Sequence, residues 1–271
     1  MTMNRKLVLV AGNPSHPSGK HEFRAGVLLL ARCLDGVPGL TVDVYDHGEV
    51  PDLVVGDADA VVVFSDGGLN HPILQGDRLA EFEALAGAGS GIGFMHYAVD
   101  LPVGHGDTQV KRWIGGVYAT GLSCNPIWEA QFDVLPDHPI VRGVSPFALT
   151  DEWYVNIQFA DAAAVQPILV AAPPDEVRAG PYVYPHGPYD HIVAASGRAE
   201  TLMWAQERPD GGRGFGLCGG HFHSNWGNND FRRVVLNALV WVTGVEVPDG
   251  GIRSSVSEDA LEADLDLKPQ P

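Results

Sequence analysis

The feature that most constrains this chain is a set of short, fully apolar β-type runs, each ending in glycine or polar residues. Leu7-Val8-Leu9-Val10-Ala11 stops at Gly12, Ala60-Val61-Val62-Val63-Phe64 stops at Ser65-Asp66-Gly67-Gly68, and Gly91-Ile92-Gly93-Phe94-Met95 stops at His96-Tyr97. Runs without alternation belong to strands buried on both faces, as in a parallel sheet covered by helices. The segments between them support this. Residues 21–34 repeat Phe23, Val27, Leu30 and Leu34 at helical spacing with Gly36 beyond, Leu40–Tyr45 alternates as a strand, and Arg78–Ala86 reads as a helix. Strand–helix alternation implies right-handed βαβ crossovers.

The middle, Pro102 to Pro188, is less regular. Strands are predicted at Phe132–Leu135, Phe147–Leu149 and Ile168–Ala171, and a loop at Tyr182–His191. Strands return at Leu202–Ala205 and Gly214–Cys218, and Phe231–Val242 is an amphipathic helix. The expected fold is a single α/β domain over residues 1–247, a three-layer sandwich with a mainly parallel sheet. Residues 248–271 are expected to be an acidic C-terminal tail, or an arm docking on a neighbouring subunit of a homo-oligomer.

Composition narrows the function classes. With 17 Lys and Arg against 34 Asp and Glu, the formal net charge of −17 repels nucleic acid and anionic membranes. Cys33, Cys124 and Cys218 are odd in number and widely spaced, without a disulfide or CxxC pattern, which fits a reducing compartment. The apolar stretch after Lys6 is too short for a signal sequence or a membrane span, so a cytoplasmic location is expected. Glycine-dense Gly87–Gly93 precedes its strand, whereas a dinucleotide fingerprint follows one, so no nucleotide cofactor is expected.

Ligands of open parallel sheets bind outside the carboxyl ends of the strands. Four such ends carry polar side chains: Ser15-His16 and Lys20-His21-Glu22; Asp66 and Asn70-His71; His96-Tyr97; and Gly219-Gly220-His221-Phe222-His223 with Asn225 and Asn228. Neutral imidazole serves as a metal ligand, a base or a hydroxyl partner. In an extended strand His221 and His223 would face the same way and grip one zinc or manganese ion, while the preceding glycines favour a turn with one ring inward. His47, His105, His138 and His186 receive no role. Adjacent Asp151 and Glu152 point to opposite sides of an extended segment, so one faces a pocket while the other caps backbone amides. Trp128, Trp153 and Trp226 are candidate sugar-stacking platforms. The Gly91–Met95 strand followed by His96 has the form of a nucleophile elbow. An amidotransferase needs cysteine there, and no cysteine pairs with a histidine in sequence, which disfavours amide hydrolysis.

Taken in order, His21-Glu22-Phe23-Arg24-Ala25-Gly26, Ser65-Asp66-Gly67-Gly68 with His71-Pro72, His96-Tyr97-Ala98-Val99, Trp113-Ile114-Gly115-Gly116, Asp137-His138-Pro139-Ile140, Asp151-Glu152-Trp153-Tyr154, Gly219-Gly220-His221 and Asn225-Trp226-Gly227-Asn228 resemble the ThuA-like (trehalose-utilisation) family. The resemblance spans most of Leu7–Val247 and implies a flavodoxin-like, class I glutamine-amidotransferase-like sheet without the catalytic cysteine. It also implies sugar metabolism, including that of trehalose and 3-keto sugars. His21, His96, Asp151, Glu152 and His221 match the family's polar motifs, whereas His223 and Asn228 look like features of a narrower subgroup. The expected function is processing of a 3-keto-glycoside or related oxidised sugar, by elimination, hydrolysis or isomerisation. His96 or Glu152 is then the base, with Asp151 and Tyr97 or Tyr154 as further acid–base groups. His21, His221 and His223 hold a divalent ion. His16, Asp66, His71, Trp153, Tyr154, Asn225 and Asn228 contact substrate. The rival expectation is a non-catalytic sugar-binding or regulatory protein with the same pocket.

Overall fold

The computed structural model describes residues 4–49, 57–160 and 165–268. In chain order the strands are β1 (Arg5–Ala11), β2 (Leu40–Tyr45), β3 (Ala60–Phe64), β4 (Gly91–Met95), β5 (Gly116–Val117), β6 (Ile127–Phe132), β7 (Phe147–Glu152), β8 (Gln158–Phe159), β9 (Val165–Ala171), β10 (Glu200–Glu207) and β11 (Arg213–Leu217). Helices are α1 (Phe23–Leu34), α2 (Arg78–Gly87), α3 (Asp107–Ile114), α4 (Asp175–Arg178), α5 (Asp190–Val193), α6 (Asn229–Val242) and α7 (Glu258–Glu262).

Seven strands form one sheet in the order β2-β1-β3-β4-β11-β10-β9. The first five are parallel, and β10 runs antiparallel to both its neighbours. The apolar runs of β3 and β4 are buried at every residue because both faces of the sheet are covered. Gly91 abuts Val242 of α6, while Gly214 abuts Trp113 and Ile114 at the end of α3. Gly214 is in register with Ile92, one residue on from Gly91, so these contacts lie on opposite faces.

The strand order is flavodoxin-like, with the switch point between β1 and β3. The loops after β1, β3, β4 and β11 therefore open at one sheet edge. A separate antiparallel ribbon, β6–β7, ends at Asp151 and Glu152.

Two local expectations are corrected. The strand expected at Phe132–Leu135 is instead Ile127–Phe132, where Trp128, Ala130 and Phe132 alternate inward. Helix α3, absent from the sequence reading, is eight residues long and lies between Gly106 and Gly115, both in the left-handed region. The C-terminal segment packs on its own chain. Val247 and Ile252 are buried, and Arg24 and Arg32 both pair with Asp264. No helix among the described residues is long and apolar enough to cross a membrane.

Candidate metal centre and active-site cavity

Backbone contacts bring distant histidines together. His21 N donates to His221 O at 3.0 Å, His223 N donates to Gly19 O at 2.9 Å, and Lys20 bridges Phe222, so the β1 and β11 loops are zipped to each other. Asp151 anchors this joint from the β6–β7 ribbon. Its Oδ1 accepts from Glu152 N (2.7 Å) and His221 N (3.0 Å), and its Oδ2 from Gly220 N (2.9 Å) and the Asn225 amide (2.8 Å). The turn needs two glycines. A Cβ on Gly219 would lie 2.4 Å from the buried Trp153 ring, and Gly220 has φ +114°. His16, His21 and His96 also adopt left-handed backbone, with φ of 59°, 49° and 55°. Such geometry is uncommon outside glycine and collects at functional sites.

His21, His96, Glu152 and His221 are all buried and offer one ligand atom each, all within 4.8 Å of one another. Hydrogen bonding fixes two tautomers. His96 Nδ1 donates to the Cys218 carbonyl at 2.7 Å, and His21 Nδ1 donates to Asp66 Oδ1 at 3.0 Å. In the neutral rings both Nε2 atoms therefore carry lone pairs, and they face each other at 3.1 Å. His221 Nδ1 lies 2.9 Å from His21 Nε2 and 2.6 Å from Glu152 Oε2. Together these ligand atoms could hold one metal ion. Donation of the far ring nitrogen to a carboxylate or carbonyl is the support that metal-bound histidines carry. Three imidazoles and a carboxylate suit zinc and neighbouring transition metals. His16, His21 and Asp66 form a second, more open group sharing His21.

Burial pushes the basicity of His21 and His96 well down, reinforced by their histidine neighbours, so both rings are neutral and able to ligate. Burial alone would raise the Glu152 carboxyl. The His221 hydrogen bond, the nearby imidazoles and a 2.6 Å bond from the Asn125 amide outweigh it and hold Glu152 below its ordinary value.

Above the cluster lies a cavity of ≈ 230 Å³ reached by His16, His21 and Glu152. Its walls carry Tyr97, Tyr118, Tyr154, Asp100, Thr120 and Asn125, with Val183 and Tyr184 also lining it. His16 stacks on His21 with ring centroids 3.6 Å apart.

Of the expected residues, His16, His21, Tyr97, Glu152 and Tyr154 line this cavity, and His96 and His221 join the ligand cluster. Asp66 supports His21. The expected opposite facing of Asp151 and Glu152 is realised, with Asp151 taking the backbone amides. Other placements correct the sequence expectation. His223 does not share His221's direction, because β11 ends at Leu217 and His223 opens a 3₁₀ turn, its Nε2 bonded to Leu261 O at 2.9 Å. His71 is fully buried, with both ring nitrogens bonded to backbone at Ile73 and Ala98. Asn228 caps α6, and Asn225 holds Asp151 and Thr150 O. Trp128, Trp153 and Trp226 are core, while the exposed aromatic residue of the cavity is Tyr184. Asp100, Tyr118, Thr120, Asn125, Val183 and Tyr184 escaped the sequence reading because they lie in aperiodic segments that only folding brings together.

The sequence matches the family model for trehalose utilisation, ThuA, over residues 10–242. The chain belongs to the ThuA family. Two solved ThuA-like proteins share its fold. One, from Bacteroides uniformis, has 15% identity and a TM-score of 0.65 over 89% of this chain and 92% of its own. The other, from Parabacteroides merdae, has 15% identity and a TM-score of 0.57 over 90% and 92%. No curated protein matches the chain. His96, which follows β4 in this ThuA protein, is engaged in the ligand cluster.

Proposed function

We propose that this ThuA protein is an enzyme acting on an oxidised carbohydrate, a 3-keto-glycoside or related keto sugar, with zinc or manganese held by His21, His96, His221 and Glu152. The observation that carries the reading is the convergence of imidazole lone pairs and one carboxylate beside a cavity walled by hydroxyl and amide groups. Such an ion supplies Lewis acidity toward a carbonyl oxygen. A ligand cannot also be a free base, so the proton-accepting role expected of His96 or Glu152 passes to another group. His16 lines the cavity, and its Nε2 makes no hydrogen bond among the described residues. Its imidazole is the base in this reading, taking the proton that a neighbouring ketone acidifies. Tyr97, Tyr118, Thr120 and Asn125 orient sugar hydroxyls.

The test has two parts. Untagged protein is analysed for metal, with about one equivalent of zinc or manganese expected and less than about a tenth overturning the assignment. Metal-loaded protein is then incubated with 3-keto-trehalose and 3-keto-glucosides. Intact substrate after long incubation removes the enzymatic reading, and binding without turnover makes the protein a sugar binder.

A further inference from the structure

Asp100 is a carboxyl without a structural task. Its backbone is fixed on both sides: its N–H donates to Tyr97 O at 3.0 Å, its C=O accepts from Gly68 N at 3.0 Å, and it bridges Tyr118. Its side chain takes no hydrogen bond and no ion pair from any described residue, although the residue is only 6% exposed and lines the cavity. Among the described residues, neither lysine nor arginine lines that cavity. Asp100 acts on Tyr97 after β4, Tyr118 after β5 and Tyr154 beyond β7, and His16, His21 and Glu152 line the same cavity. An unpaired buried carboxyl is costly, and groups kept at such cost mark functional sites.

We propose that Asp100 is the acid of this site, the carboxyl that hands a proton to the oxygen leaving C1 of the bound sugar. The inference rests on the carbohydrate reading above. His16 takes the C2 proton, the C2–H electron pair becomes the C1=C2 bond, and the C1–O bond breaks. The departing oxygen takes the Asp100 proton, giving an unsaturated keto sugar and an alcohol. Asp100 is left as carboxylate and His16 as imidazolium, and solvent exchange restores both. Burial pushes the Asp100 carboxyl up to about 7, whereas Glu152 in the same cavity is held down. Two carboxyls driven apart by their surroundings are the arrangement that separates an acid from a ligand or base.

The test is D100N with two substrates, a methyl 3-keto-glucoside, whose leaving oxygen needs a proton, and a 4-nitrophenyl 3-keto-glucoside, whose leaving oxygen does not. D100N should lose at least about 100-fold in kcat on the methyl glycoside and much less on the nitrophenyl one. Wild-type kcat on the methyl glycoside alone should fall above about pH 7. D100N should also melt higher than wild type at pH 8 and equally at pH 4, because only wild type must then ionise a buried carboxyl. Equal losses on both substrates, or none, overturn the assignment, as does a wild-type pH profile common to both. Wild-type protein inert on both substrates overturns the carbohydrate reading and the acid with it. An active wild type with an unaffected D100N overturns the acid alone.

Discussion

His21 Nε2 lies 3.1 Å from His96 Nε2, and the partner on the other nitrogen of each ring makes both atoms acceptors. Asp66 enforces this on the His21 side. Asp66→Asn weakens that hold and should lower zinc affinity by about 10- to 100-fold, read by competition with a chromogenic chelator. Unchanged affinity would remove Asp66 from the site's support.

His71 gives a pH signature separate from the site. Burial pushes its basicity down to about 4 from the ordinary 6.5. Between these values the unfolded chain binds the proton and the folded one does not. This group's stability is therefore complete above pH 6.5 and is lost as pH falls through 4, by about 3 kcal/mol in all. His71→Asn should flatten the unfolding free energy over this window by about one proton's slope, measured by urea titration at several pH values. An unaltered slope contradicts the assignment.

Gly219→Ala tests the turn that delivers His221. The new methyl meets the Trp153 ring at 2.4 Å, with the ring fully buried. A loss of about 1–3 kcal/mol is expected in denaturant unfolding, with weakened metal binding. A loss under about 0.5 kcal/mol would mean the ring yields.

Lys268 reaches from the C-terminal segment to the backbone of the β1 loop. Its ammonium donates to Ser15 O, Lys20 O and His21 O and pairs with Glu22 Oε1 at 3.4 Å, both side chains being buried. Lys268→Met leaves an unpaired buried carboxylate and should cost about 3 kcal/mol. Adding Glu22→Gln should cost less than the sum of the two changes by at least about 1 kcal/mol. Additivity in chemical denaturation would dissolve the pairing.

The elements were legible where the period was strong. Leu40–Tyr45, Ala60–Phe64 and Gly91–Met95 are strands at the bounds their residues suggest. The histidines beyond β1, β4 and β11 were legible as a group because a parallel sheet opens its loops at one edge. His223 was not, since an i/i+2 pair shares a direction only while the strand continues. Asp100 was invisible because four residues past His96 nothing in its neighbours' periodicity marks it.

By itself the sequence determined a mainly parallel sheet and the family, since strand burial and ordered local motifs are written in neighbouring residues. Which imidazoles meet, which nitrogen of each faces inward, that Asp151 serves the backbone while Glu152 serves the cavity, and that Lys268 returns to the β1 loop were decided only by the tertiary structure. These depend on contacts between residues as much as 253 positions apart, and on hydrogen bonds that assign a lone pair to one ring atom rather than another.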